Sequence, residues 1–272
     1  MTAFKFLLKD GKDKALTFSY DDGQVHDRRL VSTFDAYGMK ATFHLNSGTL
    51  GQMGYVKPEE LPKLYANHEI ACHGVTHPYF NQLSADMMLR ELAEDRRALE
   101  EYSGRIVRGF SYPFGEYNQV LCEQAKAAGI VYSRTVEATM QFNLPSDFLL
   151  WHPTCHHNQV TEKLVQDFLN APEYRNLSLF YIWGHSFEFA REDNWDRIET
   201  ICESLQGRPD VWYATNGEIY EYVMAMRSLI TSVDGNLLYN PTATTLFLEV
   251  ADRKVILEGG KRLDIRNCVS AR

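Results

Sequence analysis

Leu16-Thr17-Phe18-Ser19-Tyr20-Asp21-Asp22-Gly23 decides how the rest of the chain is read. An apolar run stops in two adjacent carboxylates and a glycine, as a buried strand does when it delivers charge at its carboxyl end. Neighbouring carboxylates repel, so a chain that keeps both at a strand end needs positive charge for one of them. The pattern recurs. Glu69-Ile70-Ala71-Cys72 leads into His73-Gly74-Val75-Thr76-His77-Pro78, and Ile182-Trp183-Gly184 leads into His185. Gly74 and Pro78 make the two-histidine segment a loop rather than one face of a helix. Asp, His and His at successive strand ends suit a divalent metal with open positions, and point to a metal-dependent hydrolase.

Outward from this stretch, strand-like runs alternate with amphipathic ones. Strands are expected over 15–19, 41–45, 68–72, 107–111, 130–136, 148–151, 177–183 and 211–214. Helices are expected over 28–37, 58–67, 84–102, 118–128, 161–169, 194–205 and 217–228, with Ser84 as an N-cap and Gly38, Gly104 and Gly129 as terminators. Eight or so β-then-α units in one chain predict a parallel α/β fold, and length and count favour a closed or nearly closed (β/α) barrel occupying residues 1–229. After residue 229 the pattern changes to turns and short strands (244–250, 254–257), so residues 230–272 are expected to form a small C-terminal β extension. In such barrels function lies at the carboxyl ends of the strands. Asp21, Asp22, His73, His77, the segment Tyr112 to Gly115, and His185 then share one rim. His152, His156 and His157 follow the expected sixth strand and either line the same rim or lie in a surface loop; Glu188 and Glu192 read as a solvated loop, with Glu188 close enough to His185 to orient it. His44 and His68 read as structural.

Composition excludes several classes. A formal net charge of −8 lacks the basic footprint that nucleic acid or an anionic membrane requires. The five cysteines form no CxxC pair, which argues against a disulfide framework or a structural zinc site. No signal peptide is visible at the start and no apolar run is long enough for a span, so a cytoplasmic location is expected.

With these residues placed, the sequence resembles the polysaccharide deacetylases of the NodB-homology type, carbohydrate esterase family 4, over roughly residues 10–225. Tyr20-Asp21-Asp22-Gly23 looks like the first motif of that family, and His73 to Pro78 like the second. The resemblance implies a distorted, TIM-like (β/α) barrel of seven or eight strands and one divalent metal ion, usually zinc and sometimes cobalt or nickel, held by Asp22, His73 and His77, with Asp21 as catalytic base. Phe110-Ser111-Tyr112-Pro113-Phe114-Gly115 is similar to the third motif, which lines the groove and offers the Phe114 N–H to an oxyanion. Tyr181 to His185 stands in the place of the last motif, whose histidine is the general acid. Tyr20, Tyr112, Pro113, Phe114, Trp183 and His156 are expected to face substrate. Two departures stand out. Ser111 occupies the place of an arginine that braces the catalytic aspartate, and of Arg108 and Arg134 the latter is the favoured replacement. The aspartate segment that orients the catalytic histidine has no counterpart. The implied activity is removal of acetyl groups from an N- or O-acetylated carbohydrate, or from a small N-acetylated substrate. The rival expectations are an allantoinase- or imidase-like amidohydrolase acting on a small cyclic amide or ureide, and a non-catalytic sugar-binding barrel.

Overall fold

A computed structural model describes residues 4–172 and 177–269. The elements in order are β1 (Phe4–Leu7), β2 (Lys14–Asp22), α1 (Asp27–Ala36), β3 (Ala41–Leu45), α2 (Leu61–Leu64), β4 (Glu69–Cys72), α3 (Ala85–Ser103), β5 (Gly109–Ser111) and α4 (Gln119–Ala127). Then come β6 (Tyr132–Arg134), β7 (Cys155–His156), α5 (Glu162–Leu169), β8 (Ser178–His185), α6 (Ser186–Arg191), α7 (Trp195–Leu205), β9 (Val211–Tyr213) and α8 (Asn216–Arg227). The remainder is β10 (Ile230–Thr231), β11 (Leu237–Tyr239), β12 (Leu246–Val250), β13 (Arg253–Leu257), β14 (Arg262–Asp264) and α9 (Arg266–Val269).

The main sheet runs β6-β5-β4-β3-β2-β8-β7, with β9 also paired to β2. Every pairing in it is parallel. This is the expected α/β fold, a curled, distorted (β/α) barrel. Parallel strands all end at one rim, and that alone gathers Asp21, Ser111, Arg134, His156 and His185.

Side-chain alternation along β2 decides what faces inward. Leu16, Phe18 and Tyr20 pack in the larger hydrophobic core with helix residues such as Leu30 and Phe34 of α1 and Ile198 of α7. Thr17, Ser19 and Asp21 take the other face. Opposite them in register stand Tyr181, Trp183 and His185 of β8. The barrel interior is thus layered. At its base Thr17 Oγ1 donates to Asn216 Oδ1 (2.9 Å), whose Nδ2 donates to the Tyr181 hydroxyl (2.5 Å). Asp21 and His185 form the top layer.

Three expectations fail locally. Residues 148–151 are not a strand: Asp147 accepts the Leu149 N–H (2.8 Å) and winds Phe148–Leu150 into a 3-10 turn. The strand beside β8 is Cys155–His156 instead. The helix expected over 58–67 is a 3-10 turn at Pro58–Glu60 followed by the four residues of α2. Helix α6, directly after His185, was not expected.

At the C-terminal side, β12 pairs antiparallel with both β13 and β1, so the first strand joins the last hairpin in one sheet. Leu246, Leu248 and Val250 alternate inward from β12 and pack with Tyr222, Val223 and Met226 of α8. The Tyr222 hydroxyl donates to the Leu7 carbonyl (2.9 Å) and accepts the Phe247 N–H (3.0 Å). A second small sheet is β10-β11-β14. Among the described residues no helix is long and apolar enough to cross a membrane.

Candidate active site

Asp21 is 3% exposed at the top of β2. Arg134, itself fully buried, donates from Nη2 to Asp21 Oδ2, donates from Nη1 to the Thr135 carbonyl (3.1 Å), and lies 4.4 Å over the Trp183 ring. Burial alone would raise the Asp21 pKa; the guanidinium outweighs it and holds the carboxyl well below the usual carboxylate range. The replacement arginine favoured on sequence therefore does reach the aspartate.

Strict alternation would turn Asp22 to the side of Tyr20. Its φ of 81° takes the residue out of strand geometry and returns its carboxylate to the rim. Asp22 Oδ1 lies 3.7 Å from His73 Nε2 and 3.8 Å from His77 Nε2. His77 (φ 54°) and Phe114 (φ 57°) also sit in the left-handed region, which costs an ordinary residue roughly 1–2 kcal/mol. Three such residues at one rim mark backbone geometry that the surroundings must enforce.

His73 fits the role of ligand. Its Nδ1 donates to the Ser111 carbonyl (2.8 Å), which fixes the proton there and leaves the Nε2 lone pair facing Asp22. Burial pushes the ring down to about 3, so it is neutral. Ser111 also places Oγ 2.7 Å from the same nitrogen and donates from it to Asp21 Oδ1 (3.2 Å). Asp22 is held above the usual carboxylate range by burial and by the charge of Asp21, against the pull of His185 and His77. A cation among these three side chains would relieve that cost, and His73, His77 and Asp22 form a donor set of the right chemistry for one.

The loop carrying His73 and His77 is anchored by residues that carry no motif. Asp95, buried in α3, accepts the N–H groups of Ser47 (2.8 Å), His73 (3.0 Å) and Gly74 (3.0 Å). Asn46 donates to the carbonyls of His73 (2.7 Å) and Gly74 (2.8 Å).

His185 caps β8 across from Asp21. Burial would lower its pKa, but Glu188 and the two aspartates outweigh it and the net direction is upward. Glu188 accepts the His185 N–H (3.1 Å) and lies 3.4 Å from its Nδ1. It thus stands in the orienting place for which the sequence offered no aspartate. His156 is 3.0 Å and His157 3.5 Å from the same Glu188 oxygen.

Of the side chains expected to face substrate, Phe114 is 49% exposed and stacks on Tyr79 (centroids 4.0 Å apart), which the sequence reading passed over. Trp183 and His156 are half-buried at the rim, in contact at 4.8 Å. Tyr20, Tyr112 and Pro113 are corrections, because all three are buried. The Tyr20 side chain points into the core and meets His157 Nδ1 (3.3 Å), and the Tyr112 hydroxyl donates to the Leu149 carbonyl (2.8 Å). His152 lies apart, bonded to Thr135 (2.7 Å). His44 and His68 are buried, as expected.

Residues 8–133 match the sequence model of the polysaccharide deacetylase family. Among solved structures, the chain is similar to a Mycobacterium smegmatis protein assigned provisionally as a polysaccharide deacetylase, at 20% identity and TM-score 0.64, covering 84% of this chain and 96% of that one. It is also similar to the Xyl-CE4 domain of a multidomain xylanase from the hindgut metagenome of Trinervitermes trinervoides, at 20% identity and TM-score 0.53, covering 79% and 92%. A carbohydrate esterase family 4 pseudoenzyme from Bacillus anthracis matches at 19% identity and TM-score 0.50, covering 78% and 66%.

Proposed function

We propose, from the membership of residues 8–133 in the polysaccharide deacetylase family, that this chain is a metal-dependent hydrolase that removes acetyl groups from a carbohydrate. One observation carries the reading: the Nε2 atoms of His73 and His77 converge on Asp22 beside a buried Asp21–Arg134 pair, with His185 across the rim. A pseudoenzyme among the similar structures makes an intact set of ionisable groups the point that matters.

Asp22, His73 and His77 would hold the ion, with zinc, cobalt or nickel all suited to this donor set. When bound, such an ion supplies electrophilic polarisation of a carbonyl and makes a water acidic near neutral pH. The remaining work falls to the chain. Asp21, kept ionised by Arg134, accepts the proton of the attacking water at Oδ1 or Oδ2. Ser111 and Arg134 hold that carboxylate in place. The Phe114 N–H faces the developing negative charge on the acetyl oxygen, a contribution of roughly 3 kcal/mol for one well-placed donor. His185, held protonated by Glu188, gives its proton to the departing nitrogen or oxygen. The stacked Phe114 and Tyr79 offer an apolar wall for a sugar ring, and Trp183 and His156 line the opposite side.

The test is acetate release from a panel of N- and O-acetylated saccharides by the zinc-loaded protein, with and without chelator. Chelator-sensitive release is expected, and Asp21→Asn should abolish it while zinc stays bound. Full activity in that variant would sink the assignment of Asp21 as base.

A further inference from the structure

His156, His157 and Glu188 place one potential ligand atom each within 4.8 Å of the others, and none of them belongs to the Asp22, His73, His77 group. The Glu188 oxygen is 3.0 Å from His156 Nε2 and 3.5 Å from His157 Nε2. Ligands bound at about 2.0–2.1 Å in a tetrahedron around a zinc-like ion are separated by roughly 3.3–3.4 Å, so both nitrogens already lie close to that distance from the shared carboxylate oxygen. His157 adds an independent sign. Its side chain is 1% exposed, yet its Nε2 has no hydrogen-bond partner and is directed at Glu188. An orphaned, buried imidazole nitrogen facing a carboxylate is costly unless something satisfies it.

We infer that His156, His157 and Glu188 form a second site for a borderline divalent cation such as zinc, separate from the first. Two histidines and one carboxylate are a common donor set for such ions. In the ion-free state His156 Nδ1 accepts the Asn158 N–H (3.2 Å), so the ring carries its proton on Nε2 and donates it to Glu188. Binding moves that proton to Nδ1 and gives up the Asn158 contact. His157 satisfies the same requirement more easily, because with its proton on Nδ1 it donates to the Tyr20 hydroxyl (3.3 Å).

Equilibrium dialysis against excess zinc, followed by metal analysis, tests this without reference to activity. The whole chain should take up two ions, His156→Asn one, Asp22→Asn one, and the double variant none. Glu188→Gln should also lose one ion, guarding against a local packing fault in the His156 variant. Cobalt-loaded Asp22→Asn should show visible absorption bands that vanish on adding His156→Asn. A single ion that Asp22→Asn removes, with His156→Asn unchanged, overturns the second site and leaves the proposed function standing. A single ion that only His156→Asn removes supports the second site and overturns the first.

Discussion

Ser111 joins two parts of the site that must agree. Through its carbonyl it sets the His73 tautomer, and through its hydroxyl it restrains Asp21. The guanidinium that the resemblance leads one to expect at this place comes from Arg134, in register beside Ser111 on the next strand. Replacing Arg134 by Gln leaves Asp21 buried without its counter-charge. Its pKa should climb, and the acid limb of kcat/KM should move up by about one to three pH units. The native pair contributes stability above the unfolded aspartate value near ~3.9, and that stability is lost only as pH falls through the depressed native value. Wild-type stability should therefore be insensitive to this pair across neutral pH. Urea denaturation of Arg134→Gln should show a loss of roughly 3–5 kcal/mol there, partly recovered in Arg134→Lys. Asp21, Asp22, His73 and His185 stand out in the sequence because they close apolar runs, and His77 because Gly74 and Pro78 put it in the loop that follows His73. The contacts of Asp95 and Asn46 with distant backbone groups, and of Ser111 with the side chains of His73 and Asp21, were not legible there, because no spacing records them.

β8 shows why one glycine sits between Trp183 and His185. A Cβ on Gly184 would lie 2.0 Å from His157 Nδ1, so the bare backbone there is the seat of the His157 ring. Gly184→Ala must displace that ring from Tyr20 and Glu188. A destabilisation of about 1–3 kcal/mol is expected, read from the denaturation midpoint. Unchanged stability would mean that His157 has another place to go. The same region exposes where periodicity stops being informative. Phe148 and Leu149 are buried in a turn and Trp151 makes only a single parallel bridge to Arg134, and an apolar run of four residues cannot be told from a strand by pattern alone. The true strand, Cys155–His156, is too short to carry a period at all. By contrast α3 announced both its ends: Ser84 accepts the Met87 N–H and Gly104 adopts a φ of 67°.

On the scale of the molecule, the change of pattern near residue 229 marks a change of topology, and we propose it as the boundary between barrel and extension. It does not follow that the barrel is stable alone. Leu246, Leu248, Val250 and Leu257 are essentially fully buried against Leu8 and α8, each worth roughly 1.5–3 kcal/mol. Their sum rivals the whole stability of a typical domain, about 5–15 kcal/mol. A chain ended at Leu229 should be insoluble or unfolded, whereas a soluble product with the wild-type denaturation midpoint would show the extension to be separable. The pairing of β1 with β12 was hidden from the sequence, since nothing local says that Phe4–Leu7 waits for a partner at the other end. That wait has a duration. At a synthesis rate of about 5–20 residues per second, the roughly 240 residues between the two strands take some 12–48 s to make. Through that interval the first strand, with Phe4, Phe6 and Leu7, is an unmatched edge on the ribosome. The nascent chain is therefore open to chaperone capture at β1 until the β12–β13 hairpin has emerged, and the arrival of that hairpin is the event that closes it.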